Sequence, residues 1–277
     1  MSLSFRSPEE MINLDRYPIA DMNSPEAKAL IQRCREQFDD AVSCHLEDFL
    51  KPEVVQTLAR EVSELQDLAH RYSVERGAYN LHDPKAGLEY QDNMDATDPR
   101  LITHRRHQRW LGTDDLAPTA LSVLYNWPNL TEFVAAVLDQ SPLYTIDDPL
   151  MRVLVNINGT GDELGWHVDS HDFAVTLLLK GADAGGLYQY VPMTGPGDTL
   201  YEEVPALFNG DQTHVRTVPM EAGSLVLFRG RNTLHRVTPV ESDDLRLLAL
   251  FAYEPVPNRV FGDAFKQSVL GRTTVRT

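Results

Sequence analysis

Gly165-Trp166-His167-Val168-Asp169-Ser170 places an imidazole and a carboxylate two residues apart. In an extended backbone, positions i and i+2 project from the same face, so His167 and Asp169 can converge on one metal ion from a single strand. A further nitrogen donor is offered by His235 in Arg231-Asn232-Thr233-Leu234-His235-Arg236-Val237-Thr238-Pro239, a β-branched and apolar segment that reads as another strand. In a chain with nine histidines and 41 acidic residues, His-x-Asp alone is a weak signal. Its weight depends on the surrounding sequence.

Outward from this stretch the texture is that of short strands. Val153, Val155 and Ile157 alternate with Arg152, Leu154, Asn156 and Asn158, the period-2 pattern of a strand with one core face. Further strands are expected at Phe173 to Leu179, Leu187 to Val191, His214 to Val218, Ser224 to Phe228, Thr233 to Val240 and Leu245 to Tyr253, with Gly, Pro and Asp between them. Many short strands without intervening helices imply a sandwich or barrel, of which a double-sheet jelly roll is one form. Upstream the period changes to 3.6. Ser24-Pro25-Glu26 opens a helix with Ala27, Leu30, Ile31, Cys34 and Phe38 on one face, and Ala41 to Leu50 reads as a short strand. Pro52 opens a second helix with the stripe Val54, Leu58, Val62, Leu65, Ala69 and Tyr72. Short helices are expected over Ala117 to Tyr125 and Thr131 to Leu138. Gly77 to Pro99 has no period and reads as a long loop, a kind of segment that is more often functional than idle.

The expected organisation is one domain, mainly β with N-terminal helices. Residues 1–145 would supply helical support and substrate-side loops, 146–257 a double-stranded β-helix (jelly-roll) core with the metal site, and 258–277 a tail. The 277 residues carry 25 basic side chains against 41 acidic ones, a net charge of −16. That charge repels nucleic acid and anionic membranes, and a small molecule is the expected partner, with a homodimer as the expected assembly. Two cysteines, no basic-then-apolar leader and no long apolar run point to a reducing, cytoplasmic setting.

Four features follow the His-x-Asp in order. Gly185-Gly186-Leu187-Tyr188 opens a strand; Pro219 to Phe228 makes a turn into another; His235 follows; and Arg246 stands at the head of the apolar run Leu245 to Tyr253. Two imidazoles and one carboxylate on one face of a metal form the facial triad of non-heme iron sites. Together these features resemble the Fe(II)/2-oxoglutarate-dependent oxygenases, over roughly residues 150 to 255. The resemblance implies that His167, Asp169 and His235 hold Fe(II), that Arg246 anchors the distal carboxylate of 2-oxoglutarate, and that O2 completes the site. Burial of an unpaired guanidinium in an apolar strand is costly, and a bound dicarboxylate would remove that cost. Thr176 and Arg236 are further candidates for cosubstrate contact.

Ile12 to Pro18, the stretch Asn156 to His167 and the Gly223 strand resemble a narrower group, the bacterial radical halogenases and hydroxylases of free amino acids. In that group a small residue replaces the carboxylate ligand in halogenases, and Asp169 is present here, so the resemblance implies hydroxylation of an aliphatic C–H bond. Leu164 and Ser170 depart from the pattern of lysine-specific members. Substrate-side candidates are Arg105 and Arg106 in the basic run His104 to Trp110 for a carboxylate, with Asn156, Asn158, His171 and Asp172 beside the site. Met193 to Gln212, longer than a hairpin requires, is expected to act as a lid. The alternatives are halogenation or desaturation on the same scaffold, or a non-redox, cupin-like metal-binding protein.

Overall fold

The computed structural model describes residues 4–79, 94–231 and 233–276. The N-terminal helices are α1 (Pro8–Met11), α2 (Pro25–Ala41) and α3 (Pro52–Glu64). The Ser24 hydroxyl accepts from the Ala27 N–H at 3.1 Å to cap α2, with Pro25 in the first turn as its sequence requires. After α3 the expected stripe fails. Leu65 ends the helix in a short 3-10 turn over Gln66–Leu68, and Tyr72 lies on strand β2 (His70–Gly77), not on a helical face. The period-2 exposure of Arg71, Ser73 and Glu75 against Tyr72 and Val74 explains why.

The other strands are β1 (Ser43–Leu46), β3 (Thr103–Leu111), β4 (Tyr144–Thr145), β5 (Val153–Asn158), β6 (Glu163–His167), β7 (Ala174–Lys180), β8 (Tyr188–Val191), β9 (Arg216–Val218), β10 (Leu225–Phe228), β11 (Leu234–Val237), β12 (Arg246–Phe251) and β13 (Tyr253–Glu254). Helices α4 (Leu121–Tyr125) and α5 (Pro128–Leu138) follow β3, α6 (Val204–Phe208) lies between β8 and β9, and α7 (Asp263–Leu270) comes last. Antiparallel pairing runs β1-β10-β7-β12-β5-β3-β6-β11-β8-β9, with β2 also on β3, while β4 and β13 pair separately. The sheet curls on itself as a jelly roll, mainly β with helices against one face. Strand β3 makes the join: Arg109–Leu111 pair with β5, whereas Arg106 and His107 pair with β6. The half of the chain expected to be mostly helical therefore supplies four strands, three of them in the large sheet.

The largest core lies outside the curl. Val153, Val155, Ile157, Val175, Leu177, Leu179, Leu247 and Ala249 meet the apolar faces of α2, α3 and α5 there, including Leu30, Leu58 and Phe133. By the alternation of side chains, Asn156, Asn158, Thr176 and Arg246 point inside. The irregular segment expected over Gly77 to Pro99 lies for residues 80–93 outside the described residues. Met193 to Gln212 does not sit over the site. Its Tyr201, Val204 and Leu207 pack with Tyr79, Trp166 and Leu234 on the outer side of β6 and β11. Among the described residues no helix is long and apolar enough to cross a membrane.

Candidate metal centre and cleft

His167 and His235 face one another across the β6–β11 ladder, each the register partner of the other. Their rings lie 4.0 Å apart between centroids. Asp169 follows β6 and turns its carboxylate between them, with Oδ1 3.6 Å from His167 Nε2 and 3.4 Å from His235 Nε2. Each Nδ1 is 2.8–2.9 Å from a backbone carbonyl two residues upstream, that of Gly165 for His167 and Thr233 for His235. Donation there leaves Nε2 as the lone-pair donor in both rings, the outer-sphere arrangement that orients metal-bound imidazoles. The three ligand atoms lie within 4.8 Å of one another. Ligand bonds of roughly 2.1 Å to one ion are within reach by small side-chain adjustments.

Charge supports the same reading. Burial alone would raise the Asp169 carboxyl, but the two imidazoles, a hydrogen bond to His235, and His171 hold it below the usual carboxylate range. Burial, His235 and Arg106 push His167 well below the ordinary histidine value. His167 is thus held neutral and Asp169 ionised, the protonation states a divalent ion needs of them.

Room for the carboxylate depends on a residue that sequence reading passed over. A Cβ at Gly230 would stand 1.9 Å from Asp169 Oδ2, and the Gly230 carbonyl accepts the Asp169 N–H at 2.9 Å. Gly230→Ala is expected to displace the carboxylate and lower iron affinity by at least tenfold, the scale of outer-sphere changes, measured by metal retention on dialysis. The signal was the short Arg229-Gly230-Arg231 step before the second histidine.

Deeper inside, Arg246 is 2% exposed and its Nη1 has no hydrogen-bond partner. Its guanidinium pKa is lowered to about 10 by burial, with Tyr188 opposing. Opposite it on β5 is Asn158, fully buried, with both amide atoms unpartnered. Orphaned donors at adjacent positions in a closed interior are costly unless a ligand satisfies them, and a carboxylate fits an arginine fork. Gly186, with φ +62° and an ideal Cβ only 3.0 Å from Arg246 Cδ, keeps that space open. Tyr188 stands between the two sites: its ring is 5.8 Å from His235, and Asp169 and Arg246 both act on its buried hydroxyl.

The remaining candidates divide. Thr176 faces inward on β7, its hydroxyl 3.4 Å from the Val226 carbonyl. Arg236 projects to the opposite face of β11 from His235, stacks on Trp166 and donates to Gln189 Oε1 at 2.8 Å, which turns it away from Arg246. Arg105 and Arg106 alternate across β3. Arg105 turns outward to Glu163 at 3.0 Å and the Gly161 carbonyl at 2.9 Å. Arg106 is buried, donates to the Gly77 carbonyl at 3.1 Å and leaves Nε unpartnered. Asn156 donates to Gln108 Oε1 at 2.8 Å. His171 pairs with Glu254 at 3.2 Å, and Asp172 is exposed on Arg231 at 2.5 Å.

A cleft of about 540 Å³ opens beside the triad. Its lining includes Arg106, Gln108 and Trp110 from β3, His167 and Asp169 at the metal centre, and Phe261 and Phe265 from the C-terminal segment expected to be an uninformative tail.

On β3, His104 is held to about 4 by burial, then by Arg106 and Arg236, and its ring packs at a tilt against Phe208 with its Nε2 unpartnered. A histidine depressed in the folded state binds fewer protons there than when unfolded. Its contribution is complete above the unfolded value near 6.5 and falls as the pH drops towards 4. The metal-free protein is expected to denature at lower urea concentration at pH 5 than at pH 7.5, with His104→Gln reducing the difference.

A jelly roll with two histidines and one aspartate gathered at the open end of its interior defines a class, the 2-His-1-carboxylate architecture of non-heme iron proteins. The sequence profile of the family described as Halogenase D (HalD) matches residues 96–258, more than half the chain, and the protein belongs to that family. No curated protein matches it by sequence. Solved structures share the fold. The 2-oxoglutarate-dependent epimerase SnoN of nogalamycin biosynthesis is 15% identical over 82% of this chain and 83% of its own, with a TM-score of 0.55. HygX from Streptomyces hygroscopicus, solved with nickel, 2-oxoglutarate and hygromycin B, is 14% identical over 81% and 87%, with a TM-score of 0.53. The carbocyclase SnoK, also of nogalamycin biosynthesis, is 11% identical over 80% and 83%, with a TM-score of 0.52.

Proposed function

We propose that this protein is an Fe(II)- and 2-oxoglutarate-dependent dioxygenase that hydroxylates an aliphatic C–H bond of a small molecule, a free amino acid or a derivative of one. The observation that carries the reading is the pairing of the triad with the buried, unpaired Arg246 guanidinium in the same interior. Bound iron supplies the oxidative chemistry: O2 and 2-oxoglutarate are consumed to succinate and CO2, with one oxygen atom entering succinate and the other the substrate. The chain's own residues do the rest. His167 and His235 present Nε2 because their Nδ1 atoms are committed to carbonyls. Arg246 and Asn158 take the distal carboxylate, and the closed end of the curl keeps water from it. Arg106 is the substrate-side cation.

The family's description favours halogenation as a second reading. Asp169 opposes it. With His167, Asp169 and His235 all available as donors, iron that also took a chelating 2-oxoacid and O2 would have no position left for chloride. Succinate release with Fe(II) and O2 across a panel of free L-amino acids, followed by product mass, tests the proposal. Stimulation with gain of one oxygen is the expected result; a chlorinated product from the unaltered protein would overturn it. Asp169→Gly is expected to cut hydroxylation by at least a hundredfold. In chloride it should yield chlorinated product if the carboxylate is what excludes the halide, and mass spectrometry reads this directly.

A further inference from the structure

The cleft has two chemically different ends joined by one strand face. Arg106, Gln108 and Trp110 project inward in succession from β3, so the guanidinium and the indole are separated by roughly 13 Å of extended backbone. At the Arg106 end are His167, Asp169 and the unpartnered Arg106 Nε. At the other end Trp110 joins an apolar wall of Met151, Leu154, Phe261 and Val269, with Phe265 on its rim. Among the described lining residues, the carboxylates are Asp169, committed to the triad, and Glu254. The latter is held by His171 at 3.2 Å and Arg259 at 3.8 Å. A cationic side chain reaching into the far end would lose its hydration without gaining a free counter-charge, whereas an apolar one gains burial. About 540 Å³ is also the scale that encloses a drug-sized ligand.

We infer that the substrate is an amphipathic carboxylate with a long apolar tail, an amino acid whose aliphatic or aryl side chain exceeds the proteinogenic ones, with its carboxylate on Arg106 and its tail along the wall beyond Trp110. This rests on the proposed oxygenase reading for the chemistry, though not for the binding. The test is calorimetry under argon, with and without added Fe(II) and 2-oxoglutarate, over 2-aminobutyrate, 2-aminohexanoate, 2-aminooctanoate, 2-aminodecanoate and L-lysine. Affinity is expected to rise about fourfold per added methylene, the worth of burying one CH2. Lysine should bind more weakly than its uncharged near-isostere 2-aminohexanoate. Arg106→Gln should weaken every member by a similar factor of about ten or more, since the head group is common to all. A flat series, or lysine binding more tightly than 2-aminohexanoate, overturns the inference. Binding of 2-oxoglutarate, measured in the same titrations, separates the two readings. A flat series with 2-oxoglutarate bound removes the tail site and leaves the oxygenase, and a rising series without 2-oxoglutarate binding does the reverse.

Discussion

His235→Ala is expected to leave a folded protein that no longer retains iron and releases succinate only at background rate. His235 supplies one of three donors, and changes to mere outer-sphere partners already cost about 10–100-fold in metal affinity, so loss of a ligand should cost more. The fold should survive. His235 is 3% exposed, but its ring is held by the Thr233 carbonyl, by Asp169 and by packing against Phe228 and Tyr188, none of which joins it to the main core. The variant removes a cluster of polar atoms from the interior along with that packing. Metal content after dialysis, read beside the circular dichroism spectrum, checks both halves. Iron retained at the level of the unaltered protein would show that the site lies elsewhere.

Arg246→Met separates binding from stability. Methionine keeps an unbranched, buried side chain while removing the charge, so the 2-oxoglutarate dissociation constant should rise by a hundredfold or more, as expected when a buried charge pair loses one partner. Stability without 2-oxoglutarate should be unchanged or higher, because an unpaired guanidinium no longer needs to be buried. If Arg246 were only structural, the same change would lower stability and leave 2-oxoglutarate binding alone. Isothermal titration and denaturant unfolding distinguish the two outcomes.

The parts of this site that were legible in the sequence share a physical reason. His167 and His235 stand beside apolar strand neighbours, Trp166 for the one and Leu234 and Val237 for the other, and Asp169 follows β6 two residues on, so the three stand out from their surroundings. Arg246 is visible for the same reason at the head of Leu247 to Phe251. Strand β3 was opaque because its inward face is itself polar. Arg106 and Gln108 line a cleft where a core strand would carry Val or Leu, so nothing in His104 to Trp110 announces which side is inside. That ambiguity also left Arg105 and Arg106 undistinguished, although the pleat sends them to opposite surfaces. Tyr72 was misplaced by a coincidence of spacing, since Leu65, Ala69 and Tyr72 continue a helical stripe across a chain that has already turned. Gly230 and Gly186 matter through atoms they lack, and a missing Cβ becomes informative only once its neighbour's position is known.

The pairing of His167 with His235 across neighbouring strands has a mechanical consequence. An ion bridging them would fasten two points of the chain that enclose β7, β8, β9 and β10, closing a long loop in the manner of a crosslink. Occupancy of the centre and cohesion of these four strands would then be one variable. At a free iron concentration a hundred times its dissociation constant, the folded state would gain about 2.7 kcal/mol. Iron starvation would loosen the very segment that carries Tyr188 and Thr176, so the empty protein would be a softer object as well as an idle one.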